Sequence, residues 1–332
     1  MIKKILAIVL VLLCISISAV IYDANKQVNK ALAITQTSFY QLSSGTSYHH
    51  LVKDLKKKKW IDSRFPFRVF AKLNPEKTLV KMGLYQVTPG MSFYQLLENM
   101  NQGKEHQFKL TFVEGSTFSQ WLESLSTAPY VKSTVNNQNV RQIMTQINPQ
   151  FRHPEGLFFP DTYSYTAGTK DLDILKQAFA RMQQELAQSW QNKAPDLPYD
   201  TPYEALIMAS IIEKETGQVK EQPMISSVFV NRLVKGMRLQ TDPTIIYGLG
   251  QRYTGDITYA NIREKTPYNT YQIDGLPPTP IAMPGKAAIE ATLHPLTSDY
   301  LYFVSKGNGE HHFSKTLKEH NKAVDRYIRG NK

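Results

Sequence analysis

Residues 5–22 carry no charge, and most of their side chains are aliphatic. A membrane-spanning helix needs about 20 apolar residues, so this run is close to the shortest that crosses a bilayer. Lys3, Lys4 and the amino terminus precede it, and positive charge is retained on the cytoplasmic side, so the rest of the chain is expected outside the cytoplasm. A cleaved signal peptide is the competing interpretation, because Ser16 and Ser18 are small residues at alternate positions. Against it, the apolar run continues through Ala19, Val20 and Ile21 and outlasts the usual signal-peptide core. Cys14 raises the idea of a lipoprotein, but Leu13 before it is too large for such a site. Cys14 is also the only cysteine, which excludes an intramolecular disulfide.

Export decides what the charge balance means. The chain has 39 Lys+Arg against 28 Asp+Glu, a net +11. Such a surplus suits nucleic acid, an anionic membrane face or an acidic polymer, and outside the cytoplasm nucleic acid drops out. A length of 332 residues suits about two domains. The organisation expected is a cytoplasmic leader at 1–4, a transmembrane helix at 5–22, a helical stalk at 23–37, a small domain at 38–107 and a larger one at 108–332.

A short pattern recurs three times after the stalk. Gly45, Ser47 and Tyr48 lead to Leu51; Gly90, Ser92 and Phe93 lead to Leu96; Gly115, Thr117 and Phe118 lead to Trp121. Each copy predicts a turn, an N-cap and an amphipathic helix, with alternating strands at 83–87 and 108–113 before the second and third copies. The second copy, 83–103, resembles a LysM-like glycan-binding module through Tyr85, Gln86, Val87, Thr88, Pro89, Gly90, Met91 and Ser92 with Leu96 and Leu97. The lysines at 56–59 predict a solvated basic helix end, with anionic head groups as the sharper alternative. Residues 155–163 are aromatic and interrupted by Gly156 and Pro160, which predicts an ordered loop or edge strand suited either to a core or to sugar faces. Helices are predicted at 172–190, 202–216 and 222–235.

The 202–216 helix opens with Thr201, Pro202 and Glu204, a capping pattern with proline at the first helical position, and Gly217 is its expected left-handed stop. Its apolar run ends in Glu213, Lys214 and Glu215. A carboxyl group on the inward face of a helix C-terminus should have a raised pKa, as a general acid requires. Helical spacing puts Glu215 on the stripe of Met208, Ile211 and Ile212, and Glu213 in line with Leu206 and Ala209, so periodicity favours Glu215 only slightly. A solvated surface turn, with Lys214 offsetting both acids, is the plainer alternative.

The densest polar cluster follows: Arg238, Gln240, Thr241, Asp242 and Tyr247, then Tyr268, Asn269 and Tyr271. Arg238 and Gln240 alternate with Met237 and Leu239, which predicts a short strand with one polar face. Asp242 before Pro243 is first of all a helix N-cap. Gly275, Pro277, Pro278 and Pro284 predict a rigid lining segment. The pair His311 and His312 lacks the spacing and carboxylates of a metal site, so no metal is expected and His312 is taken as a polar contact to ligand.

Residues 209–216, Asn231 with Arg232, 237–247, 268–271, 275–278 and 155–163 together resemble the YceG-like family of endolytic murein transglycosylases. The resemblance runs from the anchor to the C-terminus. It implies that the second glutamate, Glu215, is catalytic. It implies an α+β fold: an N-terminal transmembrane helix, a small LysM-like β-α subdomain and a larger α+β catalytic domain. The implied activity is non-hydrolytic cleavage within nascent glycan strands of peptidoglycan, leaving 1,6-anhydroMurNAc ends and terminating strand elongation. Implied partners are the glycan strands, the membrane through a single-pass inner-membrane anchor with an extracytoplasmic C-terminal part, and peptidoglycan synthases, without nucleic acid or cofactor. Arg238, Gln240, Asp242, Tyr247, Asn269, Tyr271 and His312 are the substrate-binding candidates. Two alternatives stay open: a hydrolase pairing Glu215 with Asp242, and a membrane-anchored wall-binding scaffold without turnover.

Overall fold

The computed structural model of the chain describes residues 1–330. The apolar run lies within one unbroken helix, α1 (Ile2–Asn29), long and apolar enough to cross a membrane. Its apolar side chains stand exposed up to Val20, while Ala24 and Val28 are buried. The expected helical stalk at 23–37 is corrected: the helix stops at Asn29, and its last turns are packed rather than free, since Val28 and the following Leu32 belong to the core of the unit after the anchor.

Two units are distinguished, one of Met1–Phe108 with Ser164–Gly168, the other of Lys109–Tyr163 and the chain from Thr169 onward. The first contains β1 (Ser38–Leu42), α2 (Tyr48–Lys57), α3 (Phe65–Leu73), β2 (Gly83–Val87) and α4 (Phe93–Gln102). β1 and β2 pair antiparallel with Tyr40 opposite Tyr85, and Leu51, Leu55, Phe93 and Leu96 fill the core beneath them.

β3 (Phe108–Thr111) leads into α5 (Phe118–Thr127), α6 (Val140–Ile147) and β4 (Thr162–Tyr165), and β4 pairs with β3. The second unit continues with α7 (Asp171–Gln191), α8 (Pro202–Glu215), α9 (Gln222–Val234), α10 (Asp242–Leu249), α11 (Tyr259–Arg263) and α12 (Lys286–Leu293). An antiparallel pair, β5 (Tyr302–Ser305) and β6 (His311–Ser314), follows, then α13 (Leu317–Val324) and a wide helical turn over Asp325–Arg329. The fold is mixed helix and sheet, α+β, with an N-terminal apolar helix.

The three recurring patterns fold as local physics requires. Gly45, Gly90 and Gly115 have φ of 77°, 88° and 72°, a region that costs a side chain dearly. Ser47, Ser92 and Thr117 then cap α2, α4 and α5 by accepting from the backbone N–H three residues on. Tyr48, Phe93 and Phe118 are buried immediately after the caps.

α8 is buried on every side over 205–212, as a helix apolar all round must be, and burial of each large aliphatic side chain contributes about 1.5–3 kcal/mol. The 155–160 segment is core as well: Leu157 and Phe158 are fully buried, which removes them from any sugar-stacking surface. Two local expectations are corrected. Gly217 is not a left-handed stop; α8 ends because Thr216 turns extended, at φ −144°, with its Oγ1 accepting from Gln218 N at 3.0 Å. Nor do residues 237–240 form a strand, since Gln240 takes φ of 50° and donates its N–H to Thr270 O at 3.2 Å.

Candidate active site

The last residue of α8 is Glu215, so its carboxylate stands where a buried helix meets an open cleft of 390 Å³. Thr241 Oγ1 donates to Glu215 Oε2 at 2.7 Å. Burial pushes the Glu215 carboxyl up to about 7, and the charge of Asp242 adds to the rise; the Thr241 bond and the Arg232 charge oppose it. An acid poised near neutrality can give a proton and take one back.

Glu213 has a different role. Its Oε2 accepts from Gly285 N at 3.0 Å, at the N-cap of α12, where helix N-H groups favour an anion. Burial raises its pKa too, but the carboxylate ties α8 to α12 rather than lining the cleft. Lys214 donates its Nζ to Gly115 O at 3.1 Å, and its charge partly offsets Glu213 but is not among the groups that shift Glu215.

Arg232 organises the cleft wall. Its Nε donates to Leu301 O at 2.6 Å, and its Nη1 to Arg238 O at 3.1 Å and Leu239 O at 2.8 Å. The guanidinium lies over the Tyr302 ring, 5.1 Å from its centroid, and His320 stacks on Tyr302 at 5.3 Å. One buried fork thus fixes the 238–240 turn and the start of β5 around Glu215. Burial, with the Arg232 charge beside it, lowers the His320 pKa, and among the described residues its Nδ1 finds no hydrogen-bond partner.

Of the residues singled out in the sequence, Glu215, Gln240, Asp242 and Tyr271 line this cleft together. Asp242 is not an N-cap: it is the first residue of α10, and its Oδ1 accepts from the Tyr271 hydroxyl at 2.8 Å. Arg238 turns outward to Asp274 Oδ1 at 2.8 Å and Tyr271 O at 3.0 Å. Asn269 is buried and spends its Nδ2 on the carbonyls of Asn261, Ile262 and Glu264, which leaves that amide nothing to offer a sugar. Tyr247 packs edge-on against Tyr268 at 4.9 Å, beside the buried Glu155. His312 packs against Tyr327, and it is His311 that lines the cleft, with Nδ1 2.8 Å from Glu221 Oε2. Alternation along a strand makes adjacent histidines face opposite ways, so the two roles are exchanged by one residue.

Arg232, Tyr302, His311 and His320 line the cleft and Thr241 bonds to Glu215, though none of the five is among the candidates expected from the sequence. Thr241 stood inside the polar cluster, Arg232 inside one block of the family resemblance and His311 beside His312, whereas Tyr302 and His320 carried no such signal. Among the described residues no group of three His, Cys, Asp or Glu side chains converges as a metal site would need.

A family model described as the YceG-like family matches residues 40–326. The chain belongs to the YceG-like family. The endolytic murein transglycosylase of Bacillus subtilis (strain 168) is 32% identical over 304 residues, covering 86% of this chain and 84% of that protein. The endolytic murein transglycosylase of Streptococcus pneumoniae serotype 2 (strain D39 / NCTC 7466) is 26% identical over 322 residues; the match takes in 86% of this chain and 58% of that protein. A crystal structure of a YceG-like protein from Listeria monocytogenes is similar at a TM-score of 0.54 and 32% identity, over 87% of this chain and 100% of that one. In this YceG-like chain the Asn231 and Arg232 pair has a physical purpose: Asn231 Nδ2 holds the carbonyls of Ser298 and Tyr300 while Arg232 holds Leu301, so α9 pins the approach to β5.

Proposed function

We propose that this YceG-like chain is an endolytic murein transglycosylase, with Glu215 as its single acid and base. The carrying observation is the Glu215 carboxyl, raised to about 7 and opening on a cleft with Gln240, Asp242 and Tyr271. Protonated, it gives its proton to the oxygen of the MurNAc–GlcNAc bond as that bond breaks, through an oxocarbenium-like transition state. As a carboxylate, it takes the proton of the MurNAc C6 hydroxyl, whose oxygen bonds to C1. The product is a 1,6-anhydroMurNAc end, no water is consumed, and the acid is restored. Gln240 and Tyr271 are the proposed sugar contacts, with His311 in place of His312.

The hydrolase alternative is favoured by one observation: Asp242 lines the same cleft and its charge raises Glu215. Product analysis separates the two. Glycan strands digested by the full chain should carry ends one water lighter than reducing ends, whereas reducing ends throughout would assign hydrolysis, and intact strands would assign a binding scaffold.

α1 is proposed as a single-pass anchor with Lys3 and Lys4 in the cytoplasm and the remainder outside it, next to nascent strands and their synthases, where cleavage would end strand elongation. The β1–β2 pair with its packed helices supports a LysM-like glycan-binding role for the first unit.

Thr241 tunes the acid in this scheme. Its hydroxyl stabilises the ionised form of Glu215, so Thr241→Val should raise the pKa further. The alkaline limb of kcat/KM against pH should then move upward, by roughly half a unit to one unit for one lost hydrogen bond. An unmoved limb would detach Thr241 from the catalytic acid.

A further inference from the structure

The proposed activity makes no use of an apolar surface on the first unit. α3 runs antiparallel beside α1: Phe65, Pro66 and Phe67 share a pocket with Asp23, Gln27 and Lys30, whereas Val69, Lys72 and Leu73 share an apolar groove with Ser16, Ile17, Val20 and Ile21. The C-terminal turn of α3 therefore stands beside anchor residues that lie inside the uncharged run ending at Tyr22. At 1.5 Å per residue, Ile17 lies about 8 Å deeper than Tyr22 along the helix. That is the depth, about 5–10 Å, at which interfacial helices bury their apolar faces.

The side chains agree with the depth. Leu73 is 52% exposed, and after a short turn over Pro75–Thr78, Leu79 and Met82 are 69% and 64% exposed. Between Arg64 and Met82 the basic residues are Arg64, Arg68, Lys72, Lys77 and Lys81, against Glu76 as the one acid. Long basic side chains around an apolar tip reach up to phosphate head groups while their stems stay in the apolar layer. We propose that 73–82 is inserted into the leaflet through which α1 leaves the bilayer, so that lipid covers Leu73 and the first unit is seated in the membrane surface. The proposal rests on α1 being a membrane span.

The test uses the full chain in vesicles of phosphatidylcholine and phosphatidylglycerol, with nitroxide labels and the accessibility of each label to oxygen and to a water-soluble nickel complex. Native Cys14 reports the anchor. Leu73→Cys and Leu79→Cys, each in a Cys14→Ser background, report the tip, and Gln36→Cys in the same background, exposed beyond the far end of α1, reports surface away from it. The expected result is an oxygen-to-nickel collision ratio at Leu73 and Leu79 several-fold above that at Gln36 and approaching that at Cys14. A deep Cys14 label with water-like labels at both tip positions would overturn the insertion and leave the anchor standing. A water-like Cys14 label would remove the anchor, and the proposal with it. Tip labels shielded from both reagents and broadened by a neighbouring spin would assign the patch to a second copy of the chain, also overturning the proposal.

Discussion

Glu215→Gln is expected to lower cleavage of glycan strands by on the order of 10³-fold or more, because the scheme has no other group to donate the proton. Folding should not suffer. Glutamine Oε1 can still accept from Thr241, and the variant removes a carboxylate that burial penalises. The sign of the stability change follows from the same shift. A carboxyl whose folded-state pKa is about 7 contributes stability that is full below about pH 4.5 and is lost as pH rises through 7. At pH 8 the glutamine variant should therefore unfold later than the wild type, by on the order of 1–3 kcal/mol, and the advantage should vanish near pH 4. Glu213→Gln is the matched control. It keeps an acceptor for Gly285 N, and should change cleavage only a few-fold and stability by about 1 kcal/mol. Thermal unfolding and product release, measured on both variants over the same pH range, check each part. Equal loss of cleavage from the two would reassign the acid.

Arg232→Met should be the most damaging change for the fold of the second unit. It strands the carbonyls of Arg238, Leu239 and Leu301, which the guanidinium satisfies inside the protein. The Leu239 carbonyl is buried and the other two are part-buried, and an unpaired buried group costs about 1–3 kcal/mol, so a loss of about 2–4 kcal/mol is expected. Gln240 would lose the neighbours that hold it at positive φ, and cleavage should fall with stability. Arg232→Lys separates charge from shape: an ammonium keeps the charge but cannot span three carbonyls. Denaturant unfolding of the lysine variant should fall closer to the methionine variant than to the wild type. Wild-type behaviour in the lysine variant would mean that the charge alone holds the turn.

The parts of the site that were legible in the sequence are those fixed by neighbours in the chain. The caps at Ser47, Ser92 and Thr117 and the buried run of α8 follow from spacings within one turn or one helix, whereas spacing favours Glu215 over Glu213 only slightly and the choice between them rests on the family resemblance. What escaped depends on distant returns of the chain. Arg232 reads as an ordinary polar residue near a helix end, and only the arrival of Leu301 and of the 238–239 carbonyls makes it a buried hub. Asn269 looked like a sugar contact because its chemistry is suitable, yet a tight turn had already taken its amide. His311 and His312 differ by a half-period of a strand, and which of them faces the cleft is settled by how β6 pairs with β5. The left-handed Gln240 carries no glycine to announce it.

The burial of Ala24 and Val28 has a mechanical consequence. A domain on a loose leash keeps no memory of how its anchor is turned. In the proposed anchoring, the helix that enters the lipid is also a beam of the first unit's core, so rotation of α1 about its own axis would swing that unit through the same angle. Tilt of the helix, set by bilayer thickness, must likewise become tilt of the β1–β2 pair. A bilayer that thickens or thins would thereby re-aim the first unit without any change in its fold.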